Sequence, residues 1–362
     1  MKKIKKISVY TSSVLGILIA GFLILAWSIN YHPSPIEEVA VQCSENAPGI
    51  KQNARLKVLN WNIQFLGGRQ YHFFYSGGQD SRPSPDAIET TAKGIATILQ
   101  RENPDIVLLQ EVDENAARTD FSDQTKLLLE KLPENVYPCR AETFYWKSAY
   151  IPHPQISGRV GMKLVTLSKY AITSARRLSL PQIVSQDFLT RWFYLKRAVL
   201  ETTFKQTDNK TFIALNTHLD AFAQGDDTMQ RQVMFIRNLL EEHDSNGSTW
   251  IIGGDFNLLP GKFQYEELSP EERKYYNPES ELKFLTEKYN AIPSKNDLTS
   301  NEKQSWFTAV TDHPDQKKPN RTIDYIFYSS SLVRKESKVL GETTAIISDH
   351  APIVATFQFE KP

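Results

Sequence analysis

Sulfur is nearly absent from this chain, with only Cys43, Cys139 and four methionines in 362 residues. Two thiols cannot build a disulfide scaffold or a structural zinc site; they can form one bridge in an oxidising compartment or stay unpaired. No His-x-x-x-His pair and no cysteine cluster occurs, which removes the common zinc-hydrolase patterns. Long glycine or serine tracts, acidic runs and internal repeats are missing too. With 40% hydrophobic and 23% charged residues, the bulk of the chain can bury a core and is expected to form one catalytic domain. Net charge is also lacking, since 42 basic residues meet 42 acidic ones. Four of the basic residues, Lys2, Lys3, Lys5 and Lys6, precede the first apolar run, and without them 38 stand against 42. A domain that grips nucleic acid by neutralising phosphates carries a basic stripe, so this balance counts against a nuclease.

What is present begins with Ile7 to Ile29, a stretch without a formal charge that includes Val14 to Ile19 and Phe22 to Leu25. At about 1.5 Å per helical residue it reaches the ~30 Å hydrocarbon layer of a bilayer. A transmembrane helix is expected, with residues 1–31 as anchor; a cleaved signal peptide is the rival, although Ala26 and Ser28 make a mediocre cleavage site. The four lysines favour the cytoplasmic side, which sends the remainder across the membrane, or into secretion if the segment is cleaved. Residues 32–55, with His32-Pro33-Ser34-Pro35 and no periodicity, read as a linker, and the catalytic domain as 56–362.

Within that domain Lys57 to Ile63 reads as a strand, Ala87 to Gln100 as a helix with Ile88, Ile95 and Leu99 on one face, and Asp105 to Gln110 as a buried strand. Further strands are expected at Met162 to Leu167, Ala198 to Phe204, Phe212 to Asn216, Trp250 to Gly253, Ile323 to Tyr328 and Ile353 to Phe359. Thr228 to His243 has helical spacing, with Met229, Val233, Ile236 and Leu240 on one side. Residues 261–300 read as a polar insertion with a helix near Leu282 to Tyr289, its glutamates on a solvated face. The pattern predicts stacked sheets covered by helices.

Polar residues stand where these apolar strands end: Asn62, Glu111, His218, Asp255, Asn257, Asp349 and His350. Sites in α/β sheets gather beyond the carboxyl ends of strands. Oxygen donors from Glu, Asp and Asn suit a hard cation such as Mg2+ or Mn2+, and a histidine can move the proton of an attacking water. Hydrolysis of a phosphoester needs such a set.

Leu59-Asn60-Trp61-Asn62, Leu109-Gln110-Glu111, Asn216-Thr217-His218-Leu219, Gly254-Asp255-Phe256-Asn257, Ile323-Asp324-Tyr325 and Ser348-Asp349-His350-Ala351-Pro352 follow one another in the order of the endonuclease/exonuclease/phosphatase superfamily, which the chain resembles over about residues 56–359. The resemblance implies a four-layer α/β sandwich of two mainly antiparallel sheets flanked by helices. It implies Glu111 as the principal metal ligand, with Asn62 and Asp349 completing or supporting a magnesium site. It further implies Asp255 as the carboxylate acting on the water, Asn257 as an amide donor to the phosphate, His350 as catalytic histidine oriented by Asp324, and His218 as a second histidine near the phosphate. The residues alone leave blander roles open: Asn62 as a strand-end cap, His218 as a core histidine, Asp324 as a structural ion-pair partner.

Substrate is less legible. Gln64 stands where abasic-site endonucleases of that superfamily carry an acid, and His218 replaces an asparagine, so that branch is disfavoured. The anchor and an aromatic loop from Phe65 to Gly78 favour a lipid or small extracytoplasmic phosphodiester, as in sphingomyelinase-like members. Such rings can equally stack on a base or simply pack the loop. Arg159 and Lys163 are candidate phosphate contacts. An extracytoplasmic nuclease on DNA or RNA is the alternative, an inactive binding module the third; no protein partner is indicated.

Overall fold

The computed structural model describes residues 2–360, apart from 208–209, 222, 224, 312–314 and 317. Its strands are β1 (Ile36–Glu38), β2 (Val41–Cys43), β3 (Arg55–Asn62), β4 (Ile106–Asp113), β5 (Cys139–Ile151), β6 (Gly158–Ser168), β7 (Ile172–Ser179), β8 (Ala198–Lys205), β9 (Thr211–His218), β10 (Thr249–Asp255), β11 (Asn290–Ile292), β12 (Asp324–Tyr328), β13 (Leu332–Val339) and β14 (Ile353–Phe359). The longer helices are α1 (Lys2–Ser28), α2 (Pro85–Glu102) and α5 (Thr228–Ser245), with the shorter α3 (Gln124–Leu129) and α4 (Phe188–Phe193) between them. One sheet runs β13-β14-β3-β4-β6-β5-β2 and the other β1-β7-β8-β9-β10-β12-β11. Neighbours are antiparallel except β3 with β4 and β9 with β10.

Each parallel pair exists because a helix carries the chain back. Ser84 caps α2 by accepting the Ala87 amide, Pro85 occupies its first turn, and Asn103 closes it in the left-handed region at φ 48°. Ile88, Ile95 and Leu99 bury its apolar face on Leu59, Val107 and Leu109 of the first sheet. Helix α5 does the same for the second, with Val233, Ile236 and Leu240 against Leu215 and Ile252. Between the sheets Val58, Leu108, Leu164, Leu200, Ile251 and Ile326 form the shared core. The expected four-layer sandwich is therefore present, and the parallel pairs lie at its centre.

Three expectations need correction. Residues 32–55 are not a free linker, because β1 pairs with β7, β2 pairs with β5, and Cys43 is bonded to Cys139 directly opposite it. Their partners are remote in sequence, so no local periodicity announces them. Segment 261–300 is wound into the domain: β11 extends the second sheet, Leu268, Leu282, Leu285 and Leu298 are buried, and the helix near 282–289 shrinks to Lys283–Thr286. Glu266, Glu267 and Glu271 face solvent as expected, but Glu272 closes a capping box with Ser269 and pairs with Arg321 at 3.1 Å.

Glu201 on β8 offers a test of how β7, β8 and α5 are held. It is buried and accepts from His243 Nε2 at 3.0 Å and Arg176 Nε at 2.7 Å. Burial raises its carboxyl, but the bonds from His243 and Arg176 outweigh that and hold it below the ordinary 4.5. A depressed carboxyl contributes stability that is fully present above its unfolded value and is lost as pH falls through its folded value. Glu201→Gln is expected to cost about 3 kcal/mol at neutral pH. Thermal scans from neutral pH into the acid range check this: the wild-type Tm should fall more steeply than the variant's below pH 4.5, and parallel slopes would count against the pairing.

Candidate active site

The carboxyl ends of β3, β4, β9 and β10 meet at one end of the sandwich. Asp255 closes β10 with His218 beside it on β9 and Asp324 beside it on β12, each directly in register. Across the gap Asn62 closes β3. Its Nδ2 donates to Glu111 Oε1 at 3.1 Å and to Asp255 Oδ2 at 3.0 Å, so one amide clamps two acids from different sheets. Asn62 Oδ1 accepts the Gln64 amide at 3.0 Å. Asn62 thus donates to both acids while its own oxygen accepts from the backbone.

Local backbone geometry aims these groups. Glu111 sits at φ 56° where the β4–β6 register slips between Leu109 and Val112, a bulge that turns its side chain out of the sheet alternation. Asn257 lies at φ 52° just past β10, its amide N–H bonded to Asp255 Oδ1 at 2.9 Å. The glycines before Asp255 permit close approach: a Cβ on Gly254 would stand 2.2 Å from the Thr217 carbonyl oxygen, and one on Gly253 2.7 Å from Leu108 of the facing sheet.

His350 donates Nδ1–H to Asp324 Oδ2 at 2.8 Å and turns Nε2 toward Asp255 Oδ2, 3.5 Å away. Burial alone would lower its pKa, but Asp324 and Asp255 outweigh burial and raise it well above the ordinary 6.5. His218 is its opposite. Burial, then Arg197 and His350, drive it well below 6.5, and it stays neutral. Its Nδ1 is hydrogen-bonded with the Tyr145 hydroxyl at 3.1 Å, and its Nε2 lies 3.4 Å from Asp255 Oδ2. Burial raises both Glu111 and Asp255.

Glu111, His218, Asp255, Asn257, Asp349 and His350 line a cleft of ≈ 1010 Å³, with Asn62 and Asp324 packed behind it. Ser348 anchors the Asp349 turn by donating to the Asn62 carbonyl at 2.8 Å. Asp255, Asp324 and His350 bring potential ligand atoms within 4.8 Å of one another, and Asp324 Oδ1 is buried without a hydrogen-bond partner. Since Asp324 and His350 already hold each other, Glu272 pairs with Arg321 and Asp187 caps α4, the remaining acids facing the cleft are Glu111, Asp255 and Asp349. Buried carboxylates with raised pKa and oxygen donors fit a hard divalent cation.

The candidate phosphate contacts Arg159 and Lys163 do not join them. Arg159 lines a separate cavity, and Lys163 is buried beside Glu142 and Glu114, bonding Glu114 at 2.7 Å, because β6 is covered on both faces. Besides Arg321, which pairs with Glu272 at 3.1 Å, the cations that reach the cleft are Arg118, held by Asp113 at 2.7 and 2.9 Å and stacked 3.7 Å over Phe65, and Arg197, held by Asp220 at 3.3 Å near the Tyr145 ring. Neither lies in a recognisable motif. A buried amide ladder also went unread. Gln110 donates to Asn60 at 2.9 Å and to Asn216 at 2.7 Å, and Asn216 donates to the Leu109 and Val165 carbonyls, stitching the sheets beneath the site. Its signal was present, since an amide inside a run such as Leu108-Leu109-Gln110 demands a partner.

An α/β/β/α sandwich with clustered acids and imidazoles where its parallel strands end defines a metal-assisted phosphoesterase scaffold. The chain belongs to the endonuclease/exonuclease/phosphatase family, whose sequence profile matches residues 59–350. Among solved structures it is similar to an endonuclease/exonuclease/phosphatase from Beutenbergia cavernae, with TM-score 0.57 and 18% identity over 84% of this chain and 72% of that one. The human Nocturnin catalytic domain with bound sulfate superposes with TM-score 0.53 and 18% identity, covering 89% and 97%. The mannosyl-6-phosphatase Bt3783 of Bacteroides thetaiotaomicron gives 0.50 and 17%, covering 84% and 100%. At these identities the likeness is one of fold. No curated protein matches the chain.

Proposed function

We propose that this protein hydrolyses a phosphodiester with a divalent cation, Mg2+ or Mn2+, and that its substrate is a phosphodiester lipid. The clamp of Asn62 on Glu111 and Asp255 carries the reading, because burial raises both acids despite Arg118 and His350 nearby, and a bound cation would favour their charged forms together. Glu111 and Asp349 would hold the ion, with Asp255 beside them and Asn62 orienting the acids. The ion supplies Lewis-acid polarisation of the phosphoryl group. Asp255 orients the attacking water and accepts its proton. His350, steadied by Asp324, offers Nε2–H to the phosphoryl oxygens or the leaving oxygen, and His218 offers a neutral Nε2–H. Asn257 spends one amide hydrogen on the Leu219 carbonyl at 3.0 Å and keeps the other for phosphate.

The lipid preference rests on the non-basic domain, on apolar groups such as Trp146, Tyr150 and Phe193 in the cleft, and on α1. Its stretch Tyr10–Ser28, of mean hydropathy 1.9, is long and apolar enough to cross a membrane or to act as a signal. We read it as the anchor, with the domain on the extracytoplasmic side, which also suits the Cys43–Cys139 bond. The nuclease reading keeps one observation in its favour: Phe74 and Tyr75 of the aromatic loop reach the cleft beside Arg118, where a base can stack. Most of that loop packs on itself, with Phe65 and Phe73 buried 5.1 Å apart. Full-length protein with magnesium or manganese is to be offered phosphodiester lipids, DNA, RNA and bis(p-nitrophenyl) phosphate. Metal-dependent turnover of lipid, abolished by EDTA, is expected; turnover of nucleic acid alone would discard the lipid substrate.

A further inference from the structure

Helix α1 does more than precede the domain. Its last turn runs into Ile29-Asn30-Tyr31, which bonds to the edge of β5: Ala149 N–H donates to the Ile29 carbonyl at 2.8 Å, and Tyr31 N–H to the Lys147 carbonyl at 3.2 Å. Asn30 Nδ2 returns to the Ala26 carbonyl at 2.6 Å, fixing the exit angle. So α1 meets the catalytic domain through backbone bonds rather than through a loose tether. Phe22, Leu25, Ala26 and Ile29 consequently line the same cleft as Asp255 and His350.

Depth follows from length. The 19 residues of Tyr10–Ser28 rise about 28 Å, so nearly all of them are needed to cross a hydrocarbon layer of ~30 Å. Phe22 is six residues before Ser28, about 9 Å down the helix axis, and therefore lies within the apolar layer or at its border. Phe22 and Leu25 are 56% and 58% exposed, so more than half of each side chain is left uncovered by the described residues. On the cleft's other walls stand Tyr150, itself half-exposed, and Leu189 and Phe193 of α4, whose Phe188 also faces outward. Apolar side chains of α1, β5 and α4 thus share one cleft with the acids.

We propose that the substrate enters this cleft sideways from the bilayer that α1 spans, its acyl chains lying along Phe22, Leu25 and Ile29 while its phosphodiester reaches Asp255 and His350. This rests on the phosphodiester-lipid reading above and adds the route: lipid of the same membrane, in the leaflet where α1 ends. The wall and the anchor are one helix, so the enzyme works on the membrane that holds it and poorly on any other.

The test uses the full chain reconstituted in phosphatidylcholine vesicles, with a labelled phosphodiester lipid either in the same vesicles or in separate ones, and bis(p-nitrophenyl) phosphate as a soluble reporter. Lipid in the same vesicle should turn over at least about 10-fold faster than lipid in separate vesicles. In Phe22→Ala/Leu25→Ala the ratio of lipid to reporter turnover should fall about 10-fold, within the effect expected from losing two apolar side chains at a contact. Ile17→Ala and Ile24→Ala, on exposed α1 positions that do not line the cleft, should leave that ratio unchanged. Equal rates in the two vesicle arrangements, or a wall variant indistinguishable from the controls, overturns sideways entry while leaving the lipid substrate standing. Reporter turnover with no lipid hydrolysed removes the substrate reading and this inference together. Mass spectrometry showing the isolated protein cut before Ile29 also overturns it, since the wall would then be gone.

Discussion

Glu111→Gln is expected to lower kcat by about 10^3-fold and to abolish the thermal stabilisation that magnesium or manganese gives the wild type. Glutamine keeps the shape of the side chain and can still accept from Asn62 Nδ2, so the bulge and the φ of 56° are undisturbed. What it removes is one of two negative charges held on a single amide. Without metal that charge is a burden, because burial raises Glu111 and Asp255 adds to the effect. The metal-free variant should therefore unfold at the wild-type temperature or slightly above it. For the wild type, cation at a hundredfold excess over Kd contributes about 2.7 kcal/mol, or a Tm shift of roughly 5 °C in a chain of this size. Differential scanning with and without metal separates the states, and an undiminished magnesium shift in Glu111→Gln would move the ion away from this residue.

His350→Ala should cost about 10^3-fold in kcat and, unlike the first substitution, should also weaken the fold. Asp324 is 1% exposed, and the imidazole is the hydrogen-bond partner of its Oδ2. Taking away one member of a buried pair costs about 3 kcal/mol. The pH dependence has a definite sign. Because His350 is raised in the folded protein, its contribution is fully present below the ordinary histidine value of 6.5 and fades as pH climbs through the higher folded value. The gap in Tm between wild type and His350→Ala should accordingly be widest in mildly acidic buffer and narrow in alkaline buffer. Adding Asp324→Asn to the variant should restore part of the stability and none of the activity. A double variant no more stable than the single one would show that the Asp324–His350 contact does not carry the loss.

Much of the site was legible because catalysis leaves a polar residue where an apolar strand stops. Glu111 after Leu108-Leu109-Gln110 and Asp255 after Gly253-Gly254 are visible from composition alone, and the two central strand-helix-strand units follow from their own periodicities. What stayed hidden is reached by the chain returning from afar. Arg197 is steadied in the cleft by Asp220, which only the fold brings beside it, and Arg118, although its partner Asp113 is five residues away, comes from a segment with no repeating pattern. Lys163 misled because a lysine in a strand is expected to face water, whereas β6 buries both faces and surrounds it with glutamates. Strands β1 and β2 escaped for the same reason: three residues cannot advertise a partner more than ninety positions away.

The bare α-carbon of Gly253 leaves room for Leu108 and Asn60 of the facing sheet. One methyl group there would stand 2.7 Å from the Leu108 side chain and 3.0 Å from Asn60 Oδ1, so those two side chains would have to turn aside. Asn60 Oδ1 accepts from Gln110 Nε2 at 2.9 Å, and the intrusion would reach the amides beneath the acids without touching a reacting atom. Overfilling of this kind costs about 1–3 kcal/mol, so Gly253→Ala should lower the melting temperature together with turnover.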